Sequence, residues 1–148
     1  MHSATHPATL SILYSANAVA TGGLLNEHVR TTDGTLDLVL AKPKELGGES
    51  SAGNNPQLLL AAAYAASFHA ALQAVCSRDG PEFPPDASVQ ATVGFGLRPD
   101  GGFGLEFTLA VKLPGFERAA AETLVEKARH ICSVCDSTRK EVLRCELL

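Results

Sequence analysis

The amino-acid sequence predicts an α+β domain, with strands gathered in two blocks and helices set between and after them. Three observations carry this. Apolar residues alternate with period two over 89–97 and again over 103–113, on either side of a Pro99-Asp100-Gly101-Gly102 turn. A charge-free, alanine-rich run follows Pro56 and reaches Cys76, too long and unbroken for a strand. From Ala121 onward, apolar residues stand three and four apart, the spacing of one helix face. With 148 residues the chain has the length of one domain, and 1–148 is read as one.

Leu10, Ile12, Tyr14, Ala16 and Ala18 alternate with mostly polar neighbours and predict a half-buried first strand, ended by Thr21-Gly22-Gly23. A second strand starts near Glu27. Asp33-Gly34 is the hairpin turn into a third, in which Leu36, Leu38 and Leu40 recur every second residue. Residues 42–55 hold Pro43, Gly47, Gly48, Gly53 and paired Asn, and predict a loop without regular structure. Pro56 suits a first helical turn, where its missing N–H costs nothing. Asp79-Gly80-Pro81 stops that helix. Because it is apolar on nearly every side, it is expected to be buried all round. One sheet covers only one side, so a second copy of the chain in a two-fold dimer is expected to cover the other. Val89, Ala91, Val93, Phe95 and Leu97 should share a face, with Phe103, Leu105, Phe107, Leu109, Val111 and Leu113 repeating the pattern. Leu124, Val125, Ala128, Ile131, Cys132 and Cys135 mark the buried face of the second helix, and residues 142–147 a closing strand. The predicted order is βββ-α-ββ-α-β, giving a six-stranded, mostly antiparallel sheet with a long buried central helix.

Hydrophobic residues make up 45% and charged residues 19%, which excludes a disordered chain. A net charge of −4 and the lack of any basic run argue against a nucleic-acid partner. The run 57–76 has the roughly 20 residues a bilayer crossing takes. Its bulk is Ala, however, and it carries Gln57, His69 and Gln73, so no membrane partner is expected. The first eight residues have two His and a Pro and no apolar core, unlike a signal peptide. Four cysteines are too few for a disulfide framework, which points to a reducing cytoplasm.

Cys132-Ser133-Val134-Cys135 is the one local motif with chemistry of its own, and three readings of it stand open. The two cysteines extend the apolar stripe as small buried side chains, or they form a redox dithiol, or they bind metal. A structural zinc site usually wants four ligands, and no second such motif exists. No metal and no cofactor is expected. Cys76 and Cys145 read as core or interface residues, and His2, His6 and His28 as solvent-facing. His130 lies on a different helix face from the cysteines.

Two segments resemble the OsmC/Ohr family of bacterial organic hydroperoxide resistance proteins, on the Ohr branch. Residues 55–68, reading NPQLLLAAAYAASF, are similar to the family's Asn-Pro-Glu-Gln-Leu-Phe-Ala-Ala-Gly-Tyr-Ala-Ala-Cys-Phe. Residues 128–139, reading ARHICSVCDSTR, are similar to its Ala-His-x-Val-Cys-Pro-Tyr-Ser-x-Ala-Thr-Arg. Residues 101–105 match its Gly-Gly-Phe-Gly-Leu hairpin, and residues 33–37 and 43–48 also look familial. The resemblance implies an intertwined homodimer with the long helices at its centre. It also implies a thiol peroxidase, in which one Cys attacks an organic hydroperoxide and a resolving Cys then closes a disulfide that a dithiol such as lipoamide reduces.

The matched positions depart from that chemistry. The resemblance also implies an Arg from the loop after the first strand and a Glu near the helix start that hold the thiolate and the substrate. Here the peroxidatic position is Ser67, the Glu position is Gln57, and the Arg position holds Leu24, while the resolving position, Cys132, is kept. A serine hydroxyl does not ionise usefully without a strong base, and His69 lies on a different side of the same helix. A single engineered Cys→Ser change would have left the Glu and Arg in place, so joint loss of all three reads as natural divergence. Once the thiolate is gone, an unpaired buried Arg or Glu would be costly, which makes the three neutral replacements coherent. The expectation is a family member without the standard peroxidase site, whether an enzyme or not. It would bind a small hydrophobic or hydroperoxide-like ligand at the dimer interface, in a pocket walled by Leu24, Gln57, Ser67 and Phe68. The alternative keeps hydroperoxide or disulfide chemistry but moves it to Cys132 and Cys135, with a dithiol reductant as partner.

Overall fold

The computed structural model describes residues 11–23, 26–49, 53–137 and 143–148. The chain divides into two compact units, Met1–Asn54 and Asn55–Leu148. In the first, β1 (Ala18–Thr21), β2 (His28–Thr31) and β3 (Asp37–Val39) form an antiparallel sheet in that order. The β2–β3 turn is organised by Asp33, whose carboxylate accepts from the Thr31 hydroxyl at 2.7 Å and the Thr35 N–H at 2.9 Å. These bonds, Thr31 first, hold its carboxyl below the usual range. Gly34 supplies the φ of 74° that follows. The expected plain loop after β3 contains a 3-10 turn, Lys44–Leu46, and a bridge pairs Leu40 with Asn54.

The first strand is shorter than the sequence pattern suggests. Residues 11–17 are exposed and irregular, and pairing starts at Ala18, opposite Thr31. Alternation marks a half-buried strand only where a neighbour exists to bury it, and β2 is four residues long. Leu10, His2 and His6 lie outside the described residues.

In the second unit, α1 (Pro56–Asp79) precedes the hairpin β4 (Ser88–Leu97) and β5 (Phe103–Lys112). Then come α2 (Arg118–Ile131), the short α3 (Ser133–Ser137) and β6 (Leu143–Leu147). β4 and β5 pair antiparallel, and β6 joins the free side of β5 in parallel. The single six-stranded sheet expected from the sequence is therefore two three-stranded sheets. Within the chain, among the described residues, each strand block pairs only with itself, and α1 separates the blocks in sequence.

Both ends of α1 are capped. The Asn55 side chain accepts from the Leu58 N–H at 2.9 Å, and Pro56 takes the first helical position. Gly80, at φ 100°, closes the helix by donating its N–H to the Cys76 carbonyl. Tyr64, Phe68, Ala71, Leu72, Val75 and Cys76 are buried, one stripe spaced by three and four. The opposite face, with Ala62, Ala63, Ala66, Ala70 and Ala74, is exposed. Burial all round is thus not met within one chain, because a single layer of structure covers one side. By length and apolarity α1 passes for a membrane span. Its buried stripe and its packing against β4 and α2 instead make it the core helix of this unit.

Leu109 and Val111 of β5 are fully buried, and the Phe107 ring lies 5.1 Å from that of Tyr64. Each such large apolar side chain contributes about 1.5–3 kcal/mol through burial. On β4, Val89, Ala91 and Val93 are half-buried as the period predicts. Phe95, Leu97 and Phe103 are exposed instead, because the hairpin outruns the core; Phe95 and Phe103 stack on each other at 5.0 Å. On α2, Ala121, Leu124, Val125 and Ala128 are buried. Ile131, expected on that face, is exposed, since the helix breaks at Cys132 and the break resets the register.

The two long helices are tied at the end of α1, where Asp79 accepts from Lys127 Nζ at 2.7 Å and Arg78 Nε at 3.1 Å. These bonds, Lys127 first, hold the Asp79 carboxyl below its usual range. The resulting stabilisation is present above the ordinary Asp pKa and is lost as pH falls through the lowered one. Lys127→Met should raise the Asp79 pKa toward the ordinary value, read by carboxyl-carbon NMR titration, and flatten the acid limb of the stability profile. Phe68→Ala should cost about 3–5 kcal/mol, read as a lowered urea midpoint.

Candidate functional site

Five of the six candidate site residues lie in the second unit; the sixth, Leu24, lies outside the described residues. Ser67 is half-buried near the middle of α1. It follows Tyr64 by three residues and precedes Ala71 by four, yet it adjoins Ala63 and Ala66 on the other side. It therefore sits on the border between the buried stripe and the exposed alanine face. Gln57 is half-buried in the first turn of α1. A helix rises 1.5 Å per residue, so the ten residues between Gln57 and Ser67 separate them by about 15 Å. Within one chain these two positions do not line one small site.

Phe68, expected as a pocket wall, is fully buried in the core stripe. His69 is turned to Phe83, edge to face with ring centroids 5.1 Å apart. That orientation gives Ser67 no base from its neighbour two residues on.

Cys132 and Cys135 form a disulfide with a Cα–Cα separation of 5.3 Å, inside the range such bonds require. The helix break at Cys132 makes this possible, because it turns the Cys132 backbone extended just before α3 begins. The Cys135 N–H points to the Cys132 sulfur at 3.4 Å. The two residues are 2% and 9% exposed and belong to the same core cluster as Tyr64 and Phe68. Core packing and sulfur pairing, posed as alternatives from the sequence, are thus both present. Among the described residues no three His, Cys, Asp or Glu side chains are grouped to hold a metal ion. Cys76 is a buried free thiol, and burial, with the Asp79 charge adding to it, pushes its pKa up. The Cys145 side chain lies outside the described part.

One cluster escaped the sequence reading. His28, expected to face solvent, is half-buried and bonds Asp37 across the β2–β3 pairing. Arg30 Nε approaches the other Asp37 oxygen at 3.8 Å. The signal existed in the chain, since strand pairing puts Arg30 opposite Asp37, but it needs the register to be read.

An α+β unit built on one long core helix packed against a hairpin and a second helix matches a known class of protein. The model of the OsmC-like protein family matches residues 47–146. An organic hydroperoxide resistance protein of Xanthomonas axonopodis pv. citri is 41% identical over 131 residues, covering 88% of this chain and 91% of the relative. The organic hydroperoxide resistance protein OhrB of Bacillus subtilis is 34% identical over 131 residues, covering 88% and 93%. Among solved structures, an organic hydroperoxide resistance protein from Elizabethkingia anophelis aligns with a TM-score of 0.86 at 37% identity. It covers 93% of this chain and 96% of its own. The Bacillus subtilis OhrB structure gives 0.81 at 33%, covering 93% and 100%. The chain belongs to the OsmC/Ohr family, whose organic hydroperoxide resistance members serve in oxidative stress.

The Cys132–Cys135 bridge closes a very short loop, for which chain entropy predicts a stabilisation of about 2 kcal/mol. Cys135→Ser should lower the unfolding free energy by that amount under oxidising conditions, and should change it little when both proteins are compared in reductant.

Proposed function

We propose that this protein is a homodimeric, cytoplasmic member of the OsmC/Ohr family that holds a small hydrophobic or hydroperoxide-like ligand beside Ser67 at the dimer interface, without reducing it there. The observation that carries this is the state of the sulfurs. The family resemblance puts a resolving thiol at Cys132, but that sulfur is bonded to Cys135, and the position it would serve carries a hydroxyl. A hydroxyl lacks the low pKa and softness that make a thiolate attack a peroxide oxygen.

Two features support the dimer. The exposed alanine face of α1 lets another backbone come close, and two such helices meeting antiparallel bury it symmetrically. A two-fold axis crossing α1 near Ala62, midway between Gln57 and Ser67, would set the first turn of one helix beside the middle of the other and so let Gln57 and Ser67, about 15 Å apart in one chain, share a site.

A second reading is favoured by the disulfide itself. Here Cys132, as thiolate, attacks the terminal hydroperoxide oxygen, the O–O bond breaks, and the alcohol leaves with a proton. The Cys132 sulfenic acid then condenses with the Cys135 thiol, releasing water and forming the disulfide, and an external dithiol returns two electrons and two protons. The deep burial of both sulfurs is the obstacle to this route.

Cumene hydroperoxide consumption with dithiothreitol or lipoamide separates the two. The first reading expects no turnover above buffer, and saturable binding of cumyl alcohol that is weakened by Ser67→Leu. Turnover that disappears in Cys135→Ser would establish the second and remove the first. Restoring all three positions, with Ser67→Cys, Gln57→Glu and Leu24→Arg, should revive peroxidase activity on this scaffold.

A further inference from the structure

The Cys132–Cys135 bridge is built unevenly. Cys132 closes α2 with an extended backbone, whereas Cys135 lies inside α3. The Cys135 N–H donates to the Cys132 sulfur at 3.4 Å, so that sulfur already has a donor aimed at it. Cys135 keeps 9% of its surface exposed and Cys132 only 2%. Between them Ser133 is exposed and Val134 half-buried, which places the bridge just beneath the surface. Thiol–disulfide exchange asks two things of a disulfide: one sulfur that an incoming thiolate can reach, and another that can leave carrying charge. An N–H beside a sulfur gains strength as a donor when that sulfur becomes anionic. In this bridge the more reachable sulfur and the one with a donor in place are different atoms, Cys135 and Cys132.

From this asymmetry we propose that the bridge is a thiol–disulfide exchange centre of fixed polarity, in which a small external thiol attacks Cys135 and expels Cys132. The incoming thiolate bonds to Cys135 Sγ, the bond between the cysteines breaks, and its electron pair leaves on Cys132 Sγ beside the Cys135 N–H. With a dithiol, the second thiolate then attacks the first sulfur of its own molecule, closes a disulfide there and expels Cys135. Two electrons pass from the dithiol to the bridge, and its two protons end on the two cysteine sulfurs. The inference rests on the bridge and on neither reading of Ser67, and no peroxide takes part in it.

Reduced glutathione is the probe. The oxidised full chain is treated with an excess of it at neutral pH, quenched early with acid, alkylated with N-ethylmaleimide and mapped by tandem mass spectrometry. The expected product carries glutathione on Cys135 and the alkyl group on Cys132, exceeding the reverse arrangement by at least about threefold, as one charge-assisted hydrogen bond on the leaving sulfur implies. With glutathione disulfide, Cys132→Ser should hold a lasting adduct on Cys135, and Cys135→Ser should gain one on Cys132 more slowly. Glutathione found equally on both cysteines or mainly on Cys132, or a faster adduct in Cys135→Ser, would overturn the proposal. So would a bridge that excess glutathione opens only in denaturing urea, since it would then be a structural staple. Peroxide turnover does not enter these outcomes, so turnover combined with glutathione on Cys132 would remove this inference alone.

Discussion

The second unit depends on one packing constraint: the stripe of α1 from Tyr64 to Cys76 lies against β4, β5 and α2. Tyr64, Phe68 and Leu72 are fully withdrawn from solvent, and Tyr64 meets Phe107 ring to ring. With that stripe committed inward, helical geometry assigns the remaining positions. Ala62, Ala66 and Ala70 must point away, and Ser67 falls on the border between the two faces. The placement of the candidate site follows from the core, and any change that rotates α1 moves the site with it.

The chemistry follows from which sulfurs the fold brings together. α2 ends at Cys132, the backbone turns extended, and α3 starts at Ser133, which brings Cys135 within bonding reach. Had α2 continued unbroken, the two side chains would have remained neighbours on one buried stripe. In a family whose organic hydroperoxide resistance members answer oxidative stress, this chain keeps the scaffold and one expected cysteine but pairs that cysteine locally. The hydroxyl at Ser67 leaves that position of α1 without the low-pKa group a thiolate would supply. The same position still has the shelter a ligand would need, between the packed stripe and the alanine face.

Two carboxylates of the second unit are held below their usual range by their neighbours. Lys127 and Arg78 converge on Asp79, where α1 finishes beside α2, and depress its pKa. Asp100 at the hairpin tip is held low by the Gly102 N–H and by Arg98. The described core holds apolar side chains and no buried charged residue. The absence of buried charge lets the interior pack without electrostatic penalty.

Much of this was legible in the residues. The long helix with Pro56 and Gly80 at its ends, the hairpin around Gly101-Gly102, the spacing of α2 and the family all follow from local pattern, because caps, turns and periods are short-range physics. The exposure of Phe95, Leu97, Phe103 and Ile131 was not, because it depends on where a hairpin outruns the core and where a helix breaks. The division into two three-stranded sheets was not either, since period two marks a strand but does not name its neighbour. The bonding of Cys132 to Cys135 was one of three open readings that only the fold could choose among, and the pairing of His28 with Asp37 was not legible at all. Those are distances between side chains, and distances exist only once the chain has folded.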